Sequence, residues 1–255
     1  MSSVTRKNRS QPGPSQDASL RTPRLDNGDH LTGEEFDKRY EAMPGIRAEL
    51  IEGVVFMASP VSLDHGESHA DLTTWAGTYR ALTPGVGVSS DGSVYLDPDN
   101  RPQPDVHVKI LPNYGGRTGL TEDGKYVVGA PEMVIEIAIS TASNDLHTKK
   151  RTYRRNQVRE YLVWRVENQR IDWFVLREGR YVRMKPTAEG LLKSDVFPGL
   201  WLDPAAAIRG DLATVLQVLQ QGLASPEHAA FVARLQDNAV RLAAAAAPNP
   251  EAPRP

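Results

Sequence analysis

Apolar and polar positions change rhythm repeatedly along this 255-residue chain, and each change marks an element. The first clear rhythm begins at "LTGEEFDKRY", where Thr32 with Glu35 three residues on makes a capping box that predicts a short helix. "RAELIEGVVFMAS" then alternates apolar and polar residues about Glu52-Gly53, the pattern of a β-hairpin. From Asp64 to Leu82, the residues Leu72, Trp75, Tyr79 and Leu82 recur at helical spacing. "GVGVSS", "SVYL" and "DVHVKI" are short strands separated by turn residues, and "NYGGRTGLTEDGKY" is a Gly-rich loop. A strand "VIEIAIS", a helix from about Asn144 to Asn156, and a meander of "EYLVWRV", "IDWFVL" and "RYVRMK" follow. Beyond Asp211 the spacing turns helical twice more.

The fold class is therefore mixed α/β, a sheet with a helix before it, a helix between its strands and a helical C-terminal extension. Residues 1–28 are rich in Ser, Arg, Pro, Asn and Asp without apolar periodicity and read as a disordered tail. The main domain is expected over 29–208, the helical extension over 209–245 and a proline-broken tail over 246–255. Alanines in the last helices suit close packing, including packing between subunits of a homodimer.

One strand breaks its own pattern. In "VIEIAIS", Glu136 shares a face with Val134 and Ala138, while isoleucines 135, 137 and 139 fill the other. A buried carboxylate costs several kcal/mol unless it is paired, protonated or bound to a metal. "RPQPDVHVKI" supplies a second carboxylate, Asp105, opening a strand just after Pro104. Read alone, Pro-Asp is a turn leading into a strand. Side by side, the two strands would pair Asp105 with Glu136, and paired carboxylates suit a hard cation or a shared proton. In the following helix Asp145, Lys149 and Tyr153 are spaced four apart and share a face. Lys149 either pairs with Asp145 in solvent or reaches across to the carboxylates.

Taken in order, "AELIEG", "PVSLDHG", "QPDVHV", "VIEIAISTAS", "DLHTKKRTY", "VREYLVWRV" and "FPGLWLD" resemble the Uma-two family of restriction endonucleases, a branch of the PD-(D/E)XK nuclease superfamily. The resemblance spans roughly Leu31 to Asp203 and leaves the last helices outside it. It implies a restriction-endonuclease-like sheet core flanked by helices, with Asp105 and Glu136 as metal ligands at the sheet's edge. The superfamily's lysine stands two residues after the glutamate, which here is Ala138. The family resemblance places it on the next helix instead, at Lys149, with the small Ala138 leaving room. Glu49 of "ELIEG" and His65 of "LDHG" match accessory positions, and the carbonyl of Ile137 is implied as a further ligand. Ser140-Thr141-Ala142, Asn156-Gln157 and Leu162 depart from the usual family residues, which touches loop geometry more than chemistry.

The implied activity is hydrolysis of DNA phosphodiester bonds with Mg²⁺, or Mn²⁺ in its place, through Asp105, Glu136 and Lys149. Lys149, Lys150, Arg151, Arg154, Arg155 and Arg159 make the densest basic run, either a solvated helix face or a phosphate-binding surface made by Lys150, Arg151, Arg154 and Arg155. The alternative function is a catalytically silent protein of the same fold that binds DNA or a protein partner.

Composition narrows the classes further. There are no cysteines, which excludes disulfides, thiolate metal sites and cysteine nucleophiles. No apolar run is long enough to span a membrane and no secretory leader is apparent, so the expected location is the cytoplasm. The net charge of −2 gives no whole-molecule attraction to nucleic acid, so any such attraction is local. "HGESH" invites a zinc reading, but Gly66 stands where a metalloprotease needs Glu. A hydrogen-bonding His65 and a surface His69 are the simpler account.

Overall fold

The computed structural model describes residues 22–58, 62–139 and 145–246. Residues 1–21 and 247–255, which hold most of the two expected tails, lie outside the described residues, as do Asn144 and the stretch Ser140-Thr141-Ala142. Thr32 caps α1, Gly33–Glu41, with its side-chain oxygen accepting the Glu35 N–H at 3.3 Å. The Glu35 carboxylate turns to Arg39 one turn on, at 2.7 Å, and so pairs i to i+4. Phe36 packs with Leu25, Ala48, Leu50 and Val55 in a small N-terminal cluster. Leu25 is buried, so the packed chain begins ahead of the tail boundary that composition places at residue 28.

The hairpin forms from β1, Ala48–Ile51, and β2, Val54–Met57, in antiparallel register. Its turn residues Glu52 and Gly53 have φ of 53° and 76°, the left-handed pair a two-residue hairpin turn demands. Helix α2, Leu63–Ala81, buries Leu72, Trp75, Ala76 and Tyr79. Leu82, which the spacing assigns to the same face, follows the last turn as its cap residue and is exposed.

Strands β3, Val86–Ser90, β4, Val94–Tyr95, and β5, Val106–Ile110, come next. The Gly-rich loop contains β6, Gly119–Leu120, and β7, Val127–Val128, which join β4 in a small sheet. "VIEIAIS" supplies β8, Met133–Ala138. A wide π-helical turn, Asp145–Lys149, leads into α3, Lys150–Arg155. The single helix expected to Asn156 is therefore two kinds of turn in succession. The meander is β9, Glu160–Arg165, β10, Arg170–Arg177, and β11, Arg180–Arg183. The central sheet runs β11-β10-β9-β8-β5-β3. Within this sheet the described β8 and β9 are the parallel pair, as a crossover connection through α3 allows, and in the small sheet β4 and β7 also pair in parallel.

The alternation in β8 sorts its side chains between two cores. Met133, Ile135 and Ile137 pack against Leu72, Trp75 and Tyr79 of α2, while Val134 and Ala138 face Tyr153, Tyr161, Val163 and Phe174. The strand aromatics Tyr161, Trp164, Trp173 and Phe174 are core, as their alternation predicts.

Beyond the meander come β12, Leu192–Lys193, β13, Trp201–Leu202, and three helices: α4, Pro204–Ile208, α5, Leu212–Leu223, and α6, Pro226–Ala246. Val215, Leu219, Phe231 and Leu235 share one core with Trp75 and Trp173. The helical C-terminal extension thus packs into the layer that covers the sheet beside α2. Gly222 makes the contact close: a Cβ there would stand 2.2 Å from the Gly199 carbonyl oxygen. Among the described residues no helix is long and apolar enough to cross a membrane.

One buried carboxylate ties this layer to the sheet. Glu160, at the start of β9, accepts from Ser194 Oγ at 2.7 Å, Asp195 N at 2.8 Å, Val196 N at 3.1 Å and Trp173 Nε1 at 3.3 Å. Burial pushes its pKa up to about 7 against the pull of those donors. Glu160→Ala would strand four donors in the core, each costing about 1–3 kcal/mol. Urea unfolding is expected to show a loss above about 3 kcal/mol; a loss under about 1 kcal/mol would show that water replaces the carboxylate.

Candidate active site

The site lies on the face of the sheet turned away from α2. Because β5 pairs antiparallel with β8, with Val106 opposite Ile135, Asp105 arrives beside Glu136 on one face. Asp105 Oδ2 accepts the Ile137 N–H at 2.7 Å, which clips the carboxylate to β8. From α2, His65 brings Nε2 to 3.5 Å from Asp105 Oδ1.

Glu136 is 3% exposed, and Oε1 takes two donors: Tyr153 Oη at 2.6 Å and Lys149 Nζ at 3.1 Å. Lys149 comes from the end of the π-helical turn and Tyr153 from α3, four residues on, so both reach the same oxygen. The ammonium also lies 3.0 Å from Glu49 Oε2. The hairpin presents Glu49, whose Oε1 accepts the Gln103 N–H at 2.6 Å. That contact fixes the segment that leads into Asp105. Asp105, Glu136, Lys149, Glu49 and His65 thus all come together in one site.

The electrostatics follow from these contacts. Burial pushes the Asp105 carboxyl up, but the His65 imidazole, the Ile137 N–H and the Lys149 charge outweigh it and hold the pKa below the ordinary value. The hydrogen bond and charge of Asp105 raise His65 in return, against its own burial. Burial and the neighbouring Glu136 charge push Tyr153 well above the usual phenol range, so it remains a donor. Three carboxylates, Asp105, Glu136 and Glu49, face one ammonium and one titratable imidazole. The oxygen-rich, net-acidic donor set fits a hard divalent cation, with Asp105 and Glu136 as the residues to hold it.

Histidine 69 is not the surface residue that the sequence suggests. Its Nε2 lies 2.9 Å from both the Asp105 carbonyl oxygen and Ser90 Oγ. Ligand atoms of His69, Asp91 and Asp105 lie within 4.8 Å of one another. Asp91 is already paired with Arg47, and the contact with a carbonyl makes His69 Nε2 a donor rather than a ligand. His107, two residues on from Asp105 and fully buried, finds no hydrogen-bond partner for either ring nitrogen among the described residues. Burial pulls its pKa down to about 3, so it is a neutral, apolar-like filler.

The basic run does not form one surface. Lys150 lies 3.3 Å over the Phe174 ring, and Arg154 donates to the Gly179 carbonyl at 3.1 Å. Arg151 and Arg155 turn the other way, to Glu52, at 3.9 Å and 3.4 Å. Sequence reasoning gave no role to Tyr153, Gln103 or His69. The signal for Tyr153 was present in its spacing of four from Lys149; Gln103 carried none.

The central sheet brings Asp105 and Glu136 together across the antiparallel β5–β8 pair, against a lysine from the turn that precedes α3. The chain belongs to the Uma2 family, described as "Putative restriction endonuclease", which matches residues 34–205. Among solved structures it is similar to a crystal structure of a putative nuclease belonging to DUF820 from Anabaena variabilis ATCC 29413. That likeness has a TM-score of 0.52 at 17% identity, covering 70% of this chain and 99% of the other. No curated protein matches the sequence.

The His65–Asp105 pair makes the fold's stability depend on pH in a defined sense. The folded pKa of His65 is raised, so its contribution is complete below the unfolded value of about 6.5 and lost as pH rises through the folded value. Urea unfolding of the wild type is expected to lose that increment above about pH 6.5, while His65→Gln lacks this component. Identical pH slopes for the two proteins would show that the pair is not coupled.

Proposed function

We propose that this protein is a metal-dependent endonuclease that hydrolyses DNA phosphodiester bonds, with Asp105, Glu136 and Lys149 as its working groups. The observation that carries the reading is the Lys149 ammonium, held between Glu136 and Glu49 beside Asp105. A structural ion pair needs one carboxylate per lysine. Here a lysine, a tyrosine and a histidine converge on carboxylates borne by two adjacent strands of the central sheet.

Asp105 and Glu136 would hold Mg²⁺, or Mn²⁺ in its place, and a bound cation of this kind polarises a phosphodiester and lowers the pKa of an attacking water. Lys149 supplies a compact point charge that orients the water or stabilises negative charge developing on the phosphate. Glu49 aims that ammonium, and Tyr153 keeps Glu136 in place by a hydrogen bond it donates at neutral pH. His65 holds Asp105 in its ionised form. Arg151 and Arg155, half exposed or more beside Glu52, are the members of the basic run that we assign to phosphate contact near the site.

A specific observation supports the rival reading of a silent nuclease fold. Lys149 is shared by two carboxylates, so the network is well satisfied without a cation. One set of variants separates the two. Lys149→Ala is expected to slow Mg²⁺-dependent plasmid cleavage by ~10²–10³-fold, the usual cost of one oriented electrostatic donor, while keeping the metal-induced rise in melting temperature. Asp105→Asn combined with Glu136→Gln is expected to abolish that rise. Cleavage at the parental rate by the Lys149 variant would refute its role, and an equal metal response in the double variant would refute the ligand assignment.

A further inference from the structure

The same sheet face carries a second charged cluster, two strands away from Glu136. Parallel pairing sets Glu136 opposite Val163 and Ala138 opposite Arg165. Antiparallel pairing then sets Asp172 opposite Val163, Arg170 opposite Arg165, and Arg183 opposite Phe174. Cross-strand partners share a face, so Arg165, Arg170, Asp172 and Arg183 all stand on the side of Glu136.

Asp172 is buried and receives three guanidiniums. Arg165 Nη2 lies 2.9 Å from Oδ2, while Arg170 Nε at 2.9 Å and Arg183 Nε at 2.8 Å share Oδ1. One guanidinium neutralises one carboxylate, and Arg165, only 18% exposed, is the one placed to do so. Arg170 and Arg183 are surplus, 46% and 51% exposed. Each is gripped through Nε, which orients the planar fork and leaves its Nη donors unused by any carboxylate among the described residues. Lys150 adds a fourth cation over Phe174, and burial pulls its pKa down while the Asp172 charge pushes it back up. Four cations therefore surround one anion on a chain whose net charge is −2.

We propose that Arg170 and Arg183, oriented by Asp172 and backed by Arg165 and Lys150, bind the phosphodiester backbone of duplex DNA flanking the cleavage site. The ligand class rests on the nuclease reading above. Oriented guanidinium forks match phosphate oxygens bidentately, and such contacts position a duplex without reading its sequence. Two strand spacings put the cluster about 10 Å across the sheet from Glu136, roughly three steps of about 3.4 Å along a DNA strand. A backbone engaged there would pass over α3, whose Tyr153 packs on the buried Val163 and Phe174 between the two clusters, to reach the carboxylates.

The test is duplex DNA binding by the full chain without metal, read by fluorescence anisotropy across a salt series. Arg170→Gln with Arg183→Gln is expected to weaken binding to all sequences alike and to reduce the slope of log affinity against log salt by about two. Arg209→Gln with Arg241→Gln, the same charge change outside the cluster, is expected to keep the parental slope. If melting shows the first double variant unfolded, the single variants are each expected to reduce the slope by about one. An unchanged slope, an equal change in the control, or a wild type that does not bind duplex would overturn the proposal. Metal-dependent cleavage is measured on the same proteins. An unchanged slope with cleavage intact removes the patch and leaves the nuclease reading; a cluster-dependent slope in a protein that never cleaves does the reverse.

Discussion

Glu136 is a carboxylate in the middle of a central strand, almost without access to water, and the surrounding structure is organised to make it tolerable. Leaving such a charge unpaired costs several kcal/mol, and pairing recovers that only when the geometry is good and the remaining oxygens are satisfied. Three separate elements meet the requirement here. The π-helical turn and α3 deliver Lys149 and Tyr153 to one oxygen, and the hairpin sends Glu49 to share the lysine. Removing any one leaves the others desolvated and mismatched, so the N-terminal hairpin, the central sheet and α3 are coupled through a single ammonium.

The wide turn ahead of α3 is part of that solution. Lys149 closes the π-helical stretch, and the regular helix begins at Lys150. Consecutive lysines consequently go to different places, one into the carboxylates and the next over Phe174. Ala138, where the superfamily pattern sets its lysine, is wholly buried in the cluster with Tyr153 and Tyr161. A long cationic side chain at that position would have to displace this packing, whereas one from the helix arrives over the top of it.

The two faces of the sheet divide an apolar core from the charged clusters. Against one face α2, α5 and α6 build a continuous apolar core, pinned by Glu160 and by the close approach of Gly222 to Gly199. The other face is covered more thinly and carries the charged groups: Asp105, Glu136 and Lys149 at one place, Asp172 with its arginines at another. Buried carboxylates on both faces are saturated with donors, but with different partners. Glu160 receives backbone N–H groups and neutral side chains, which lock a loop. Glu136 and Asp172 receive cationic side chains.

The apolar rhythm of the sequence determines the kinds of element, the two faces of β8 and the anomaly of Glu136, because alternation and helical spacing are properties of neighbours along the chain. Residue type and spacing also single out Asp105 and Lys149, while Glu49 and His65 stand out only through the resemblance to the family. Which of them touch is another matter. Lys149 is equally well spaced for Asp145 on its own helix, and only the packing of α3 across β8 brings it to Glu136. His69 reads as surface until β5 places the Asp105 carbonyl against it. Arg165, Arg170 and Arg183 lie in ordinary strand ends, unremarkable until the meander gathers them on Asp172. The last helices read as an addition because their amphipathic pattern states that they bury a face without stating against what. Periodicity fixes which side of an element is turned inward; the partner it meets depends on how distant segments close on one another, and that is settled only when the whole core forms.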